Sequence, residues 1–219
     1  MRVRIDITYS TPRGTEAQFS SDEVRVGEAV VIAEDMAKTG RIKEIEFVDQ
    51  QERIWTLKEL KKLLEGIQTE PHEVKLFFDG GYDVQTGQAG LGCAIYYEQN
   101  GKAFRLRRNA FVEEMVSNNE AEYAALHFGL KELEELGVHH QTVTITGDSK
   151  VVIHQLDGEW PLYEEELSRW ADRIEAQLGR LGLVAEYEAI SRKSNREADQ
   201  LATQALNGTE VSSLLELNK

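Results

Sequence analysis

The stretch Val74-Lys75-Leu76-Phe77-Phe78-Asp79-Gly80-Gly81 decides the fold of the longer part of this chain. Its apolar centre, Leu76 to Phe78, indicates a buried central strand. An aspartate after such a strand points into a cleft edge, and the glycines after it let backbone or ligand approach closely. A plain turn aspartate before Gly-Gly is the competing explanation.

Working outward from that strand, the pattern predicts the element order βββαβααβα. The first three strands indicate an antiparallel meander, and the later strand–helix alternation indicates parallel crossovers. We therefore predict an α/β domain with a mixed five-stranded sheet flanked by helices. The predicted strands are 74–78, 91–98, 103–112, 142–147 and 184–191, and the predicted helices are 118–136, 149–156, 163–178 and 195–206.

The preceding residues have a different pattern of apolar residues and predict a small α+β domain, ββαββα, over 1–66. Residues 67–73 are polar with one proline and predict a linker. The larger domain is expected over 74–207, followed by a C-terminal tail over 208–219. The small domain has no assignable role, and its surface is expected to serve self-association or a protein partner.

Composition limits the function classes. The 219 residues carry a formal net charge of −14 and one cysteine, Cys93, which excludes an internal disulfide framework and a cysteine-only zinc site. No apolar run reaches the roughly 20 residues that span a membrane. We expect a cytoplasmic protein that does not bind membranes. So acidic a chain also argues against a general nucleic-acid binder, because phosphates attract Lys and Arg.

Four carboxylates stand in unusual places: Asp79, Glu122, Asp148 and Asp199. Asp148 ends a predicted strand and opens a helix, where a plain N-cap is an equally good explanation. Asp199 lies on the last helix, between its faces. Converging at the strand ends, the four would suit Mg²⁺ or Mn²⁺, which prefer oxygen ligands, and two-metal phosphodiester chemistry.

Glu122 carries most of this argument. Ser117 and Glu120 form a predicted capping box, so Glu120 belongs to the solvated start of the helix. Steps of three or four residues from Glu122 instead reach Leu126, Leu130 and Leu133, the apolar stripe of that helix. An ionised carboxylate there is costly unless a positive group pairs with it, and a bound cation would meet that need.

Four separated segments resemble the successive motifs of type 1 ribonuclease H. They are Asp79-Gly80-Gly81, Ser117-Asn118-Asn119-Glu120-Ala121-Glu122-Tyr123-Ala124-Ala125-Leu126, Gly147-Asp148-Ser149 and Asn195-Arg196-Glu197-Ala198-Asp199-Gln200-Leu201-Ala202. The resemblance covers about 74–207 and implies the strand order 3-2-1-4-5. It also implies endonucleolytic cleavage of the RNA strand in RNA–DNA hybrids, by two Mg²⁺ or Mn²⁺ ions.

Carried over to this sequence, the resemblance makes Asp79, Glu122, Asp148 and Asp199 both the catalytic residues and the metal ligands. It places Gly80, Asn118, Asn119 and Ser149 among the substrate contacts. Many members of that family carry a histidine in the loop before the last helix. This chain has Arg192 and Lys193 there, so Arg192 is included among the substrate-binding residues.

Two other functions stay open. One is a non-catalytic nucleic-acid-binding or regulatory module on the same fold, since fold does not fix function. The other is a related two-metal nuclease that acts on structured or single-stranded nucleic acid. Residues 71–219 hold 14 basic and 25 acidic side chains, so any nucleic-acid binding should be weak, salt-sensitive and metal-dependent. Arg105, Arg107 and Arg108 are the basic groups expected to meet phosphates, with Arg192, Lys193 and Arg196.

Overall fold

The structure is a computed structural model that describes residues 1–217, except for the side chains of residues 67 and 68. The chain divides into two compact units, residues 1–69 and the described residues from Glu70 onward. Each unit has its own sheet and its own hydrophobic core. Among the described residues, no helix combines the length and the apolar character needed to cross a membrane.

The N-terminal unit is an antiparallel sheet with two helices. Its sheet has the order β2-β1-β4-β5, and the short β3 pairs with β1. The core is built from buried residues of β1, β4 and both helices, including Val3, Ala33, Phe47 and Leu60. The elements are β1 (Arg2–Ser10), β2 (Glu16–Ser20), β3 (Val24–Arg25), α1 (Val26–Lys38), β4 (Ile42–Asp49), β5 (Ile54–Trp55) and α2 (Leu57–Thr69).

The predicted ββαββα order is present with one addition, the two-residue strand β3. The predicted linker is too long, because α2 continues to Thr69 and the next strand begins at His72. Gly66 does not end α2, although glycine lowers helix propensity. Glu70 and Pro71 are the residues left between the two elements, and the linker side chains at 67 and 68 lie outside the described residues.

The C-terminal unit is a mixed sheet with helices on both faces. Its strand order is β10-β9-β6-β7-β8-β11. Along β6-β7-β8-β11 each strand runs antiparallel to its neighbour, whereas β9 is parallel to β6 and to β10. The elements are β6 (His72–Asp83), β7 (Gln88–Gln99), β8 (Lys102–Val112), α3 (Asn118–Glu135), β9 (Thr142–Gly147), α4 (Lys150–Leu156), α5 (Glu165–Leu181), β10 (Val184–Ala189), α6 (Arg196–Leu206) and β11 (Ser212–Leu217).

The predicted order 3-2-1-4-5 is confirmed for β8-β7-β6-β9-β10, but the sheet has six strands rather than five. The predicted tail is therefore wrong over Ser212–Leu217, which form β11 and pair with β8 in the register Ser212↔Arg108 to Leu217↔Ala103. Backbone pairing at the free edge of β8 orders this segment. Residues 218–219 of the predicted tail lie outside the described residues.

Helices α3 and α6 cover opposite faces of the sheet. Leu126, Leu130 and Leu133 of α3 are fully buried against one face, as the apolar stripe predicts. On the other face α6 approaches so closely that a Cβ atom on Gly92 would lie 2.4 Å from the Ala198 carbonyl oxygen. Glycine at this position therefore lets α6 rest directly on the backbone of β7.

Candidate active site

Asp79 lies where β6 no longer pairs with β9 and pairs only with β7. The strand runs on to Asp83 beside β7, but its parallel pairing with β9 ends at Phe77↔Thr146. The expectation that Asp79 follows the end of its strand is therefore wrong, because β7 keeps pairing with β6 through the glycines. Asp79 instead lies beyond the last β6–β9 pair and is only 8% exposed.

Glu122 enters the same region from the first two turns of α3. It is 6% exposed, and its Oε2 accepts a hydrogen bond of 3.2 Å from the backbone N–H of Gly80. A Cβ atom on Gly80 would lie 2.3 Å from the Ala121 carbonyl carbon, so glycine lets α3 approach the strand. The apolar stripe of α3 thus brings Glu122 to the sheet, as predicted.

The start of α3 follows the capping prediction, except that the Glu120 side chain accepts from the backbone of Val116 and not from that of Ser117. Ser117 Oγ accepts a hydrogen bond of 3.1 Å from the Glu120 backbone N–H. The Glu120 side chain accepts from the Val116 backbone N–H and from the indole N–H of Trp170. The Glu120 carboxylate is therefore hydrogen-bonded at the helix start, in a different environment from that of Glu122.

Asp148 follows β9 directly and is partly buried. Ser149, rather than Asp148, is the N-cap of α4, and its side chain accepts from the Val152 backbone N–H at 3.5 Å. The N-cap explanation for Asp148 is therefore wrong. Its Oδ1 instead accepts a hydrogen bond of 2.9 Å from Nδ2 of Asn195.

The structure brings three of the four predicted carboxylates together. One carboxylate oxygen from each of Asp79, Glu122 and Asp148 lies within 4.8 Å of the other two. Asp199 is outside this group of three. Its Oδ1 accepts a hydrogen bond of 3.0 Å from Nη2 of Arg192, although its charge still acts on Asp79.

Burial and mutual repulsion make the inner carboxyl groups hard to ionise. Burial, followed by the charges of Asp148 and Asp199, raises the pKa of Asp79 to about 7. Burial and the charges of Asp79 and Asp148 raise the pKa of Glu122 to about 9. Among the ion pairs of the described residues, none joins Lys or Arg to Asp79, Glu122 or Asp148. The oxygen donors and uncompensated charge fit a divalent cation.

The predicted substrate-binding residues differ in their exposure. Asn118 is exposed and Asn119 half-buried at the start of α3, and Arg192 is exposed in the turn before α6. Gly80 and Ser149 adjoin Asp79 and Asp148 in the chain. Their contact with a substrate stays a prediction.

The three arginines of β8 are less available than expected. Arg108 pairs with Glu132 at 3.1 Å on one face of the sheet, while Arg105 and Arg107 lie 3.2 and 3.5 Å from Glu197 on the other. These carboxylates already oppose the three guanidinium groups. The expectation that the arginines of β8 are free to meet phosphates is therefore wrong.

Asn195 is the residue whose role sequence reasoning missed. It is 1% exposed, and its Nδ2 donates to both the Phe78 carbonyl oxygen and Asp148 Oδ1, at 2.8 and 2.9 Å. It thus ties the start of α6 to β6 and to the carboxylate that follows β9. Its place in the motif before Asp199 was the available signal, but a polar residue at a helix start is ordinarily assigned to capping.

Comparisons with known proteins agree with this architecture. The family model described as "Reverse transcriptase-like" matches residues 77–205. The uncharacterized protein YpeP of Bacillus subtilis is 43% identical over 206 residues, which are 94% of this chain and 91% of YpeP. The bifunctional protein Rv2228c of Mycobacterium tuberculosis is 30% identical over 59% of this chain, and the match spans only 34% of Rv2228c.

Solved structures give the same result for the C-terminal unit. RNase H1 from the archaeon Halobacterium salinarum superposes with a TM-score of 0.55 at 27% identity, covering 62% of this chain and 98% of that one. LC11-RNase H1, from compost metagenomics, was solved in complex with an RNA/DNA hybrid. Its TM-score is 0.54 at 26% identity, with coverage of 62% and 98%.

The fold and the carboxylate group together define a protein of the ribonuclease H-like superfamily. Within it, this chain belongs to the reverse transcriptase-like family. The resemblance to ribonuclease H seen in the sequence is thereby confirmed.

Proposed function

We propose that this protein is a divalent-metal-dependent endonuclease that hydrolyses the RNA strand of RNA–DNA hybrids. The observation that carries the proposal is the meeting of Asp79, Glu122 and Asp148, with oxygens within 4.8 Å of one another, in a ribonuclease H-like fold. Relatives named as ribonucleases H, one of them solved with a hybrid, support the choice of substrate.

Asp79, Glu122 and Asp148 would hold the metal, with Asp199 as a further ligand. When bound, Mg²⁺ or Mn²⁺ supplies activation of the attacking water and stabilisation of the leaving oxygen, which in two-metal sites takes a pair of ions. The chain's own residues position the ligands. The Gly80 N–H holds Glu122, and the Asn195 amide holds Asp148.

The same arrangement suggests how substrate is selected. Asn118 and Asn119 stand at the N-terminal end of α3, where side-chain amides and backbone N–H groups are suited to sugar and phosphate oxygens. A choice of RNA over DNA would require contacts to the 2′-OH. The neighbouring Arg192 would supply a positive charge to the backbone of the nucleic acid.

A cleavage assay tests the proposal. Hybrid labelled on its RNA strand is incubated with Mg²⁺, Mn²⁺ or EDTA, beside double-stranded RNA and single strands. We expect metal-dependent cleavage of the hybrid RNA, loss of cleavage in Asp148→Asn, and full activity in Asp172→Asn, which changes an exposed aspartate of α5. Folded protein that binds hybrid without cleaving it in either metal would indicate the non-catalytic module instead.

For the N-terminal unit we propose a protein-contact role. Exposed apolar side chains on this unit support it: Phe19 is 56% exposed, Val31 67% and Ile54 64%. Size-exclusion chromatography over a range of concentrations tests self-association. A monomer at every concentration, with no change in Phe19→Ser, would count against it.

A further inference from the structure

A cavity lies on the α6 face of the sheet, next to the carboxylate group but separate from it. Its volume is about 320 Å³, and it is lined by Lys75, Phe77, Tyr96, Ser194, Asn195 and Glu197. Lys75 and Tyr96 are directly opposite each other on β6 and β7, so their side chains share this face. None of the candidate metal ligands lines the cavity among the described residues.

Two aromatic rings form one wall of this cavity. Phe77 and Tyr96 meet edge to face, with ring centroids 5.6 Å apart and an angle of 78° between the planes. Both side chains are only half-buried, so ring surface remains open to an occupant. A flat apolar group would stack well there, since aromatic faces bind nucleobases irrespective of sequence.

The charged groups in and around the cavity favour an anionic occupant. Glu197 accepts a hydrogen bond from the Tyr96 hydroxyl, and its Oε1 lies 3.2 Å from Arg105 and 3.5 Å from Arg107. The Nε–H groups of both arginines are buried and lack a hydrogen-bond partner. Glu197 is therefore opposed by two arginines that lie outside the lining, so Lys75 is the charged lining residue left to meet an anionic occupant.

Buried acceptors without partners lie in the cavity wall and beside it. Oδ1 of Asn195, a lining residue that is 1% exposed, has no hydrogen-bond partner, nor does the hydroxyl of Thr146, which is 2% exposed. Thr146 pairs laterally with Phe77, so its side chain projects from the same face. Buried polar atoms are usually satisfied, so an unpartnered oxygen in a cavity wall indicates a missing donor.

We propose that this cavity binds one nucleotide, with its base against Phe77 and Tyr96 and its phosphate at Lys75. A bare phosphate would leave the rings unused, and an uncharged apolar ligand would leave Lys75 and the orphan acceptors unused. The amino or imino N–H groups of a base would supply the missing donors to Asn195. The nucleotide could be free in solution or an unpaired residue of a nucleic-acid strand.

Calorimetric titration of the full chain in EDTA tests the site without any cleavage. Adenosine 5′-monophosphate is compared with ribose 5-phosphate and with adenosine. We expect the nucleotide to bind at least about 10-fold more tightly than ribose 5-phosphate, because a stacked base adds that much affinity. Adenosine should bind more weakly than the nucleotide because it lacks the phosphate that meets Lys75.

Two pairs of variants locate the binding. Tyr96→Leu should weaken nucleotide binding by about 10-fold, whereas Tyr163→Leu, at a residue that is 88% exposed, should not. Lys75→Ala should remove the advantage of the nucleotide over adenosine, whereas Lys131→Ala on α3 should keep it. Lys75 is exposed, so this variant remains informative if Tyr96→Leu fails to fold.

The source of the nucleotide is decided by hybrids with and without a short single-stranded overhang. Tighter binding of the overhang that Tyr96→Leu abolishes identifies a strand residue, whereas binding of the monophosphate alone identifies a free nucleotide. The proposal is overturned if the monophosphate does not bind at about 10 mM, a concentration above ordinary ligand affinities. It is equally overturned if both cavity variants bind it as the unchanged protein does. Because no metal is present, neither result depends on the proposed nuclease activity.

Discussion

The candidate active site has two unlike halves. In the inner half, Asp79 and Glu122 are 8% and 6% exposed, and a single backbone N–H donates to Glu122. In the outer half, Asp148 is held by the Asn195 amide, and Asp199 pairs with a guanidinium group. The inner half therefore stores repulsion that a cation would relieve, whereas the outer half already accepts hydrogen bonds from side chains of the turn before α6.

This difference indicates that the inner and outer carboxylates contribute to the site in different ways. A buried pair without counter-charge is costly to maintain, so its natural complement is a ligand that carries positive charge. The outer pair is arranged by neighbouring side chains and can adjust as a ligand binds. Substitutions in the two halves should consequently have effects of different kind and size.

Asp79→Asn should give the largest effect. It removes an inner ligand, and we expect hybrid cleavage to fall by at least about 10³-fold, since metal ligands stabilise transition-state charge by several kcal/mol. Thermal unfolding without metal should show equal or greater stability than the unchanged protein, because the substitution relieves repulsion. Loss of both activity and stability would show that Asp79 is a packing residue.

The second prediction concerns pH and the inner half alone. Without metal, both inner carboxyl groups have a pKa above the unfolded value of about 4, so protonation stabilises the fold. That stability is complete below about pH 4 and is lost as pH rises through 7 and then 9, by on the order of a few kcal/mol. Denaturant titrations between pH 5 and 10, followed by Trp160 and Trp170 fluorescence, measure the loss.

Glu122→Gln should flatten this dependence, and Glu113→Gln, at an exposed glutamate, should leave it unchanged. Added Mg²⁺ or Mn²⁺ should restore stability at high pH, because a cation favours the ionised carboxylates. Stability that rises steadily with pH in EDTA would contradict the assignment of an uncompensated inner pair.

Asn195→Ala tests the outer half. The variant loses the amide that donates to Phe78 and Asp148. We expect activity to fall by about 10–100-fold, the usual cost of removing a group that orients a ligand. Stability should drop by about 1–3 kcal/mol, since a buried acceptor is left unpaired. Gln200→Ala, at an exposed residue of α6, serves as the control, and unchanged activity in Asn195→Ala would remove the orienting role.

Arg192→Ala should give the smallest effect. The Arg192 side chain is 82% exposed and Asp199 is 35% exposed, so their ion pair contributes at most about 1 kcal/mol. We expect stability within about 0.5 kcal/mol of the unchanged protein and less than about 10-fold loss of activity. Arg169→Ala, at an exposed arginine of α5 that pairs with Glu165, is the matched control. A loss above 100-fold would instead place Arg192 among the groups that touch the substrate.

The inner half could be predicted from the sequence because its signals are local, whereas the sheet order came from the resemblance to ribonuclease H. The apolar run before Asp79 predicts a buried strand, and the leucine stripe that contains Glu122 predicts the buried face of a helix. Each signal lies within a single element. The motif order then set their placement, although the structure extends β6 past Asp79 because β7 continues beside it.

The remaining features depend on contacts between distant parts of the chain. Ser-Ser-Leu-Leu-Glu-Leu at 212–217 has two adjacent leucines and no clean alternation, so only the open edge of β8 makes it a strand. Asn195 donates hydrogen bonds to Phe78 and Asp148, which lie 117 and 47 positions before it in the sequence. The pairing of Glu197 with β8 is equally non-local, and it turned predicted free arginines into ion pairs.

The contact of α6 with Gly92 limits how this protein can vary over evolutionary time. A Cβ atom there would lie 2.4 Å from the Ala198 carbonyl oxygen and 2.6 Å from the Ala202 nitrogen, distances that no rotamer change relieves. Any mutation to a larger residue must lift the helix that begins after Asn195 and carries Asp199. Position 92 should therefore resist neutral drift as strongly as the carboxylates themselves, although it touches no substrate.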